Sequence, residues 1–308
     1  SDNASTDGGA GELAAIDDSR FRFLRNAENY GSFENQLRAM EAARGRYVMQ
    51  MTDKDDLVFG GEAAALSALE GLDAACGEFV LNGGGDGGRA VTVRRGYAAY
   101  RRYGLLFTHP SGHFFSSEIL RRHGVLARLR ALDEVTRPYS TDYLVSLSLA
   151  YGAYARIDLP FAVMNLPPYG GGAASVSYRD PSEYYFTPEF LSKEFSAYVK
   201  FLREGTGLSA VSRWRLVARL AGGPVFDQMT LWYRWRLDDD AMCEWYGVNP
   251  DFRRRERARD LERDGAAAIR GAAGLGFAER LAARCGVARR LKRGGRRTVP
   301  SNIRRAGK

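Results

Sequence analysis

The chain has 308 residues, 45% of them hydrophobic, which is more core-forming material than one average domain requires. Three cysteines, Cys76, Cys243 and Cys285, are odd in number and lack metal-ligand spacing, which argues against a disulfide framework and for a reduced, cytoplasmic setting. No run of about 18 apolar residues offers a bilayer-spanning helix. The net charge of +8 belongs to the end of the chain: residues 271–308 hold eleven Lys/Arg against Glu279 alone, leaving residues 1–270 at −2.

In chain order, residues 1–8 (Ser-Asp-Asn-Ala-Ser-Thr-Asp-Gly) read as a loop. Residues 11–16 read as a short helix, and residues 20–25, with Phe21 and Phe23 alternating, as a strand. The turn Asn29-Tyr30-Gly31 leads into a helix over residues 33–43, with Leu37, Met40 and Ala43 on one face. Residues 46–51 read as a short buried strand that runs without a turn residue into Asp53, Asp55 and Asp56. The carboxylates therefore fall at the strand's C-terminal end, where open α/β sheets place their ligand crevices. Two aspartates one residue apart can aim oxygen donors at a single hard cation that bridges nucleotide phosphates. The same residues would also serve as a solvated loop with an Asp N-cap.

Residues 63–75 read as an Ala/Leu-rich helix, and residues 79–82 and 90–94 as strands around the tract Gly83-Gly84-Gly85-Asp86-Gly87-Gly88. That tract lacks the following helix and the terminal Lys-Ser/Thr of a phosphate loop, so a hairpin loop or insertion is expected. In Thr108-His109-Pro110-Ser111-Gly112-His113, Gly112 permits a close backbone approach, whereas His109 and His113 share no helix face. Tyr139-Ser140-Thr141-Asp142 opens a helix through residue 151, with Thr141 or Asp142 as a cap. A strand over residues 154–165 then runs to a Pro/Gly-rich hinge at 167–172.

Beyond the hinge the pattern is helical. Thr187-Pro188 is an N-cap followed by Pro at the first helical position, and Phe190, Leu191, Phe195, Tyr198, Val199 and Leu202 form one stripe. Helices are expected over 208–220 and 225–237, with a solvated charged helix over 253–270. Residues 277–293 place Phe277, Leu281, Cys285, Ala288 and Leu291 against Arg280, Arg284, Arg289, Arg290 and Lys292, a basic amphipathic pattern that suits an anionic membrane surface. A disordered solubilising tail fits the same composition.

Taken in order and spacing, Asp2 to Gly8, Arg25 to Asn35, Ala42-Ala43-Arg44-Gly45 and Asp53-Lys54-Asp55-Asp56 resemble the family-2 nucleotide-sugar glycosyltransferases of the GT-A fold, over roughly residues 1–170. The resemblance implies an α/β fold: a Rossmann-type mixed sheet flanked by helices, with a helical region over 171–270 and a basic tail over 271–308. The opening loop matches the one that follows the family's second strand. Two strands and a helix are therefore expected to be missing before it, and this piece of chain to be poorly stable and weakly active.

The resemblance also implies roles. Asp2 matches the carboxylate that accepts the nucleotide base's N–H; Asn29, Gly31 and Asn35 match the motif beside the nucleotide. Asp53 and Asp55 match the site for Mg2+ or Mn2+ and the diphosphate, Gly112 the approach to the sugar-diphosphate, and Asp142 the general base. Three departures stand out: Glu34 replaces a small or basic residue, Thr141 replaces a frequent Glu, and no His follows His123 as a third metal ligand. The expected activity is metal-dependent, inverting transfer from a nucleotide-sugar, a UDP-sugar favoured, to a glycan or lipid-linked acceptor in cell-surface polysaccharide or glycolipid synthesis. The expected place is the cytoplasm, peripherally at the inner face of the plasma membrane. No nucleic-acid partner is expected. Retaining transfer and a non-catalytic nucleotide-binding or scaffold relative are the alternatives.

Overall fold

The computed structural model describes residues 1–6, 8–53, 55–58, 61–81, 90–163, 184–245 and 247–292. The glycine tract, the hinge and residues 293–308 of the expected tail lie outside them. Among the described residues the chain is mixed α/β. Helices α1 (Gly9–Ala14), α2 (Gly31–Ala42), α3 (Glu62–Glu70), α4 (Tyr97–Tyr103), α5 (Ser117–Arg122), α6 (Val125–Arg130) and α7 (Ser140–Leu149) flank six strands. The strands are β1 (Tyr47–Met49), β2 (Asp56–Leu57), β3 (Cys76–Leu81), β4 (Ala90–Val93), β5 (His113–Ser116) and β6 (Tyr154–Val163).

The strand order is β1-β5-β3-β6-β2, with β4 also on β6. Among these six strands, β3 and β6 pair in parallel and the other pairs are antiparallel. Of the hairpin loop or insertion expected around the glycine tract, the hairpin is not formed: β6 lies between β3 and β4 and pairs with both. The long β6 can do so because its second edge is divided between β4, opposite Tyr154–Ile157, and β2, opposite Ala162 and Val163.

Other boundaries moved for local reasons. The helix expected to reach residue 75 stops at Glu70, with Gly71 as its C-cap, and the chain turns into β3. The strand expected at 20–25 reduces to one bridge between Asp2 and Arg25, closed by Asp2 N–H to Leu24 C=O at 2.7 Å and Asn26 N–H to Asp2 C=O at 2.9 Å. The charged helix expected at 253–270 is two helices, because the Asp260 side chain accepts from Arg263 N–H and starts a new one.

The C-terminal region is helical: α8 (Pro188–Gly205), α9 (Ala210–Ala221), α10 (Pro224–Asp227), α11 (Tyr233–Asp238), α12 (Asp240–Trp245), α13 (Pro250–Arg257), α14 (Leu261–Arg270) and α15 (Phe277–Lys292). A π-helical turn, Gln228–Trp232, joins α10 to α11. As expected, Thr187 caps α8 by accepting from Phe190 N–H, with Pro188 at the first helical position.

One hydrophobic core runs from β1, β3 and β5 through α7 into α8, α9, α14 and α15. Tyr143 on α7 meets Tyr198 and Phe201 of α8 edge-on, with ring centroids 5.4 and 5.5 Å apart. Such pairs contribute about 0.5–1.5 kcal/mol each beyond burial, so core packing joins the helices to the sheet layer. Helices α9 and α15 approach until a Cβ on Gly286 would lie 2.0 Å from the Ala218 carbonyl oxygen. Only glycine permits that separation.

Candidate functional site

Three consecutive residues on the first turn of α7 tie together the segments singled out from the sequence. Ser140 Oγ reaches Gln36 Oε1 on α2 at 3.4 Å, one residue after Asn35. Thr141 Oγ1 reaches Gln50 Oε1 at the end of β1 at 3.3 Å. The Asp142 carboxylate takes Leu106 N–H at 2.7 Å and Thr108 N–H at 3.3 Å from the loop between α4 and β5. All three side chains are buried.

At the start of α2 the structure brings Asp2, Asn29, Gly31 and Asn35 together through two residues not singled out from sequence, Asn3 and Asn26. Asn3 Oδ1 accepts from Tyr30 N–H and Asn26 Nδ2, each at 3.0 Å, while its amide donates to Asn29 Oδ1 at 2.6 Å. Asn29 Oδ1 also accepts from Gly31 N–H at 2.9 Å. Asn26 donates to Asn35 Oδ1 at 2.9 Å, and Asn35 also accepts from Ser1 Oγ. The Asp2 carboxylate accepts Ser5 N–H and lies 3.3 Å from Arg25 Nε. Hydrogen bonding from Ser5, aided by Arg25, holds it below the usual carboxylate range despite its partial burial. The result is a half-buried, amide-rich platform with the buried Asp2 carboxylate at one side.

At the end of β1, Asp53 is exposed in a turn. The Asp55 side chain is only 1% exposed, and its Oδ2 accepts from Thr52 Oγ1 at 2.8 Å and from Ser111 Oγ. Ser111 Oγ also receives Thr52 N–H at 2.9 Å, locking the two segments together. His109 Nδ1 lies 3.4 Å from Asp55 Oδ2 and 3.3 Å from Ser111 N. Thr52, His109 and Ser111 thus surround Asp55. The sequence offers only a weak signal for this, a polar loop rich in His, Ser and Thr.

Gly112 follows with φ +83°; its N–H bonds Gln50 C=O and its C=O takes Phe79 N–H, both at 3.0 Å. The turn itself requires glycine there. His113 is buried on β5 and held neutral, its pKa lowered to about 4 by burial, with Nε2 3.8 Å from Glu78.

Asp142 is wholly buried, and burial raises its pKa to about 7 against the opposing effect of the Leu106, Thr108 and Phe107 N–H groups. Leu105 and Phe107, neither of them glycine, take φ of +43° and +55°. Two left-handed residues in alternation turn successive N–H groups inward into an anion-holding nest. Each such conformation costs on the order of 1–3 kcal/mol and persists only where its surroundings enforce it. Here the enforcing group is the Asp142 carboxylate.

Asp53 and Asp55 are hard oxygen donors. Among the described residues no group of three or more His, Cys, Asp or Glu side chains is placed to hold a metal ion. Mg2+ commonly takes one or two carboxylates and completes its shell with substrate phosphates and water. Of the pair, Asp53 is exposed, whereas the Asp55 carboxylate is all but buried with two hydroxyl hydrogen bonds on Oδ2. A separate cleft, about 220 Å³, is lined by Met40, Val48, Leu120 and Leu126 with Glu41 and Arg121 at its edge. It shares no residue with the two polar clusters, and its largely apolar lining suits neither a base edge nor a diphosphate.

No protein-family model matches this chain, and no curated protein matches it. Among solved structures it is similar to S. aureus TarS 1-349 in complex with UDP. The superposition has a TM-score of 0.49 at 10% sequence identity, over 96% of this chain and 81% of that one.

Proposed function

We propose that the chain is a nucleotide-sugar glycosyltransferase, with the donor lying across the platform at α2 and the carboxylates after β1. The observation that carries this reading is the first turn of α7, where Ser140 reaches α2, Thr141 reaches the residue after β1 and Asp142 holds the loop before β5. A nucleotide needs these elements together: amide and carboxylate groups for the base and ribose, hard oxygens for a cation on the diphosphate, and an acid/base group near the sugar. The ionised Asp2 suits the imide N–H of uracil, which makes a UDP-sugar the favoured donor.

Asp53 and Asp55 would hold Mg2+ or Mn2+, which neutralises charge building on the departing diphosphate. Thr52 and Ser111 orient Asp55 for that role through two hydroxyl hydrogen bonds. In transfer, the acceptor hydroxyl oxygen forms a bond to the anomeric carbon as the bond to the diphosphate breaks. The hydroxyl proton goes to a base. Asp142 has a suitable proton affinity, near 7, but its oxygens are covered by the loop. Inverting chemistry at Asp142 therefore requires residues 105–108 to move off the carboxylate when the substrates bind. The second reading, favoured by those same N–H contacts, is that Asp142 acts by holding the loop that presents Ser111 to Asp55. The acceptor, a glycan or lipid-linked alcohol, rests on the family resemblance.

Calorimetric titration with UDP, with and without Mg2+, tests the proposal. UDP binding that weakens in the presence of a chelator supports it; no binding at millimolar UDP refutes it.

A further inference from the structure

Helix α15 is apolar on two faces. Ala282, Ala283, Gly286 and Val287 are buried on one side, against α9, which is why the helix docks so closely there. The opposite side carries Phe277, Leu281 and Leu291, which are 80%, 48% and 43% exposed. With Arg280, Arg284, Ala288 and Lys292 these residues span roughly a third of the helix circumference at 100° per residue. No carboxylate shares that outward side. The sole acid of α15, Glu279, turns the other way to pair with Arg203 at 2.7 Å and to accept Gly276 N–H, and Arg290 is paired inward with Asp227.

A packed helix has no structural need for an exposed phenylalanine in line with two leucines and bordered by cations. Docking on α9 is already complete through the small residues of the other face. Apolar side chains interleaved with Arg and Lys, and free of acids, complement a surface that is anionic at its plane and apolar just beneath it. An acidic protein groove would match the charge. It would not by itself take up a side chain as exposed as Phe277.

We propose that the outward face of α15 is a docking surface for anionic lipid, on which the protein lies with Phe277 and Leu281 inserted among the acyl chains. The cations set the preference for negative headgroups and the apolar residues set the depth. Neither depends on donor binding or turnover, so this inference and the transferase reading can fail separately.

The test is co-sedimentation of the full chain with vesicles of phosphatidylglycerol and phosphatidylcholine, and with vesicles of phosphatidylcholine alone. Thermal denaturation checks that each variant remains folded, as substitution of exposed side chains should allow. The wild type is expected to bind the anionic vesicles, to lose binding in about 0.5 M NaCl, and to ignore the neutral ones. Partitioning should fall about tenfold or more in Phe277→Ser/Leu281→Ser and in Arg284→Glu/Lys292→Glu. No binding to anionic vesicles, or binding that both folded variants retain, would overturn the proposal. So would a self-associated wild type that Phe277→Ser/Leu281→Ser converts to monomer without a change in vesicle binding, since the face would then belong to a second copy.

Discussion

Asp55 and Asp142 hold opposite ends of one loop. Asp142 takes the N–H groups of Leu106 and Thr108, and three residues beyond Thr108 the Ser111 hydroxyl is bonded to Asp55. The two carboxylates cannot be treated as independent, because a change at either is transmitted through residues 105–111.

Replacement of Asp142 by Asn separates its two readings. Asn offers an N–H2 group where the loop requires an acceptor, and should cost about 1–3 kcal/mol of stability. If Asp142 takes the acceptor proton, turnover falls by orders of magnitude while UDP affinity is kept. If it serves only to hold the loop, UDP affinity falls together with turnover. Denaturant unfolding beside UDP titration distinguishes the outcomes.

Ser111→Ala removes the hydroxyl that orients Asp55 and bonds Thr52 N–H. Loss of one partner of a buried carboxylate typically costs about 1–3 kcal/mol. The account expects weaker UDP binding in Mg2+ and a smaller change in its absence. Mn2+ alone should bind weakly to the wild type and tightly once UDP is present, because Asp53 and Asp55 leave most of the coordination shell to the ligand. Metal titrations followed by paramagnetic relaxation would read this synergy.

The local elements around the candidate site are legible in the residue pattern, and those that are not share a physical cause. Asn29-Tyr30-Gly31 marks the start of α2 because a turn and its cap are local, and the alignment of Asp53 and Asp55 after β1 follows from strand continuity. Residues 20–25 carry alternation without a strand, since a strand needs a partner and only Arg25 finds one. The contacts of Ser111 and His109 with Asp55 exist only once β5 lies beside β1, and the spacing of the loop residues does not carry them. On α15 the large apolar residues drew attention as a stripe, whereas the docking face is built of Ala and Gly, whose small size is what allows close packing.

Glu194 on α8 is wholly buried and its carboxylate oxygens have no hydrogen-bond partner among the described residues; the Tyr143 phenol lies beside it without full alignment. Burial, with Asp142 and Asp133 nearby, raises its pKa from 4.5 to about 8. A carboxyl raised on folding contributes its full stability below about 4.5 and loses it as pH rises through about 8. Asp142, raised to about 7, acts in the same direction. Melting temperature should therefore fall between about pH 5 and pH 8.5 in the wild type and fall less in Glu194→Gln. Parallel pH profiles of the two proteins would refute this.

Gly286→Ala places a methyl 2.0 Å from the Ala218 carbonyl oxygen, against backbone that cannot yield as a side chain would. Overpacking of this kind costs about 1–3 kcal/mol, here toward the upper end, and should separate α15 from α9. Thermal unfolding and proteolysis after residue 270 would report it.

The most direct measurement is hydrogen–deuterium exchange with and without UDP and Mg2+. Peptides covering residues 1–6, 26–36, 50–57 and 105–112 should gain protection together, while α14 and α15 remain unchanged. Protection confined to one of these segments, or found only around the cleft at Met40 and Leu126, would contradict a nucleotide-sugar site organised by the first turn of α7.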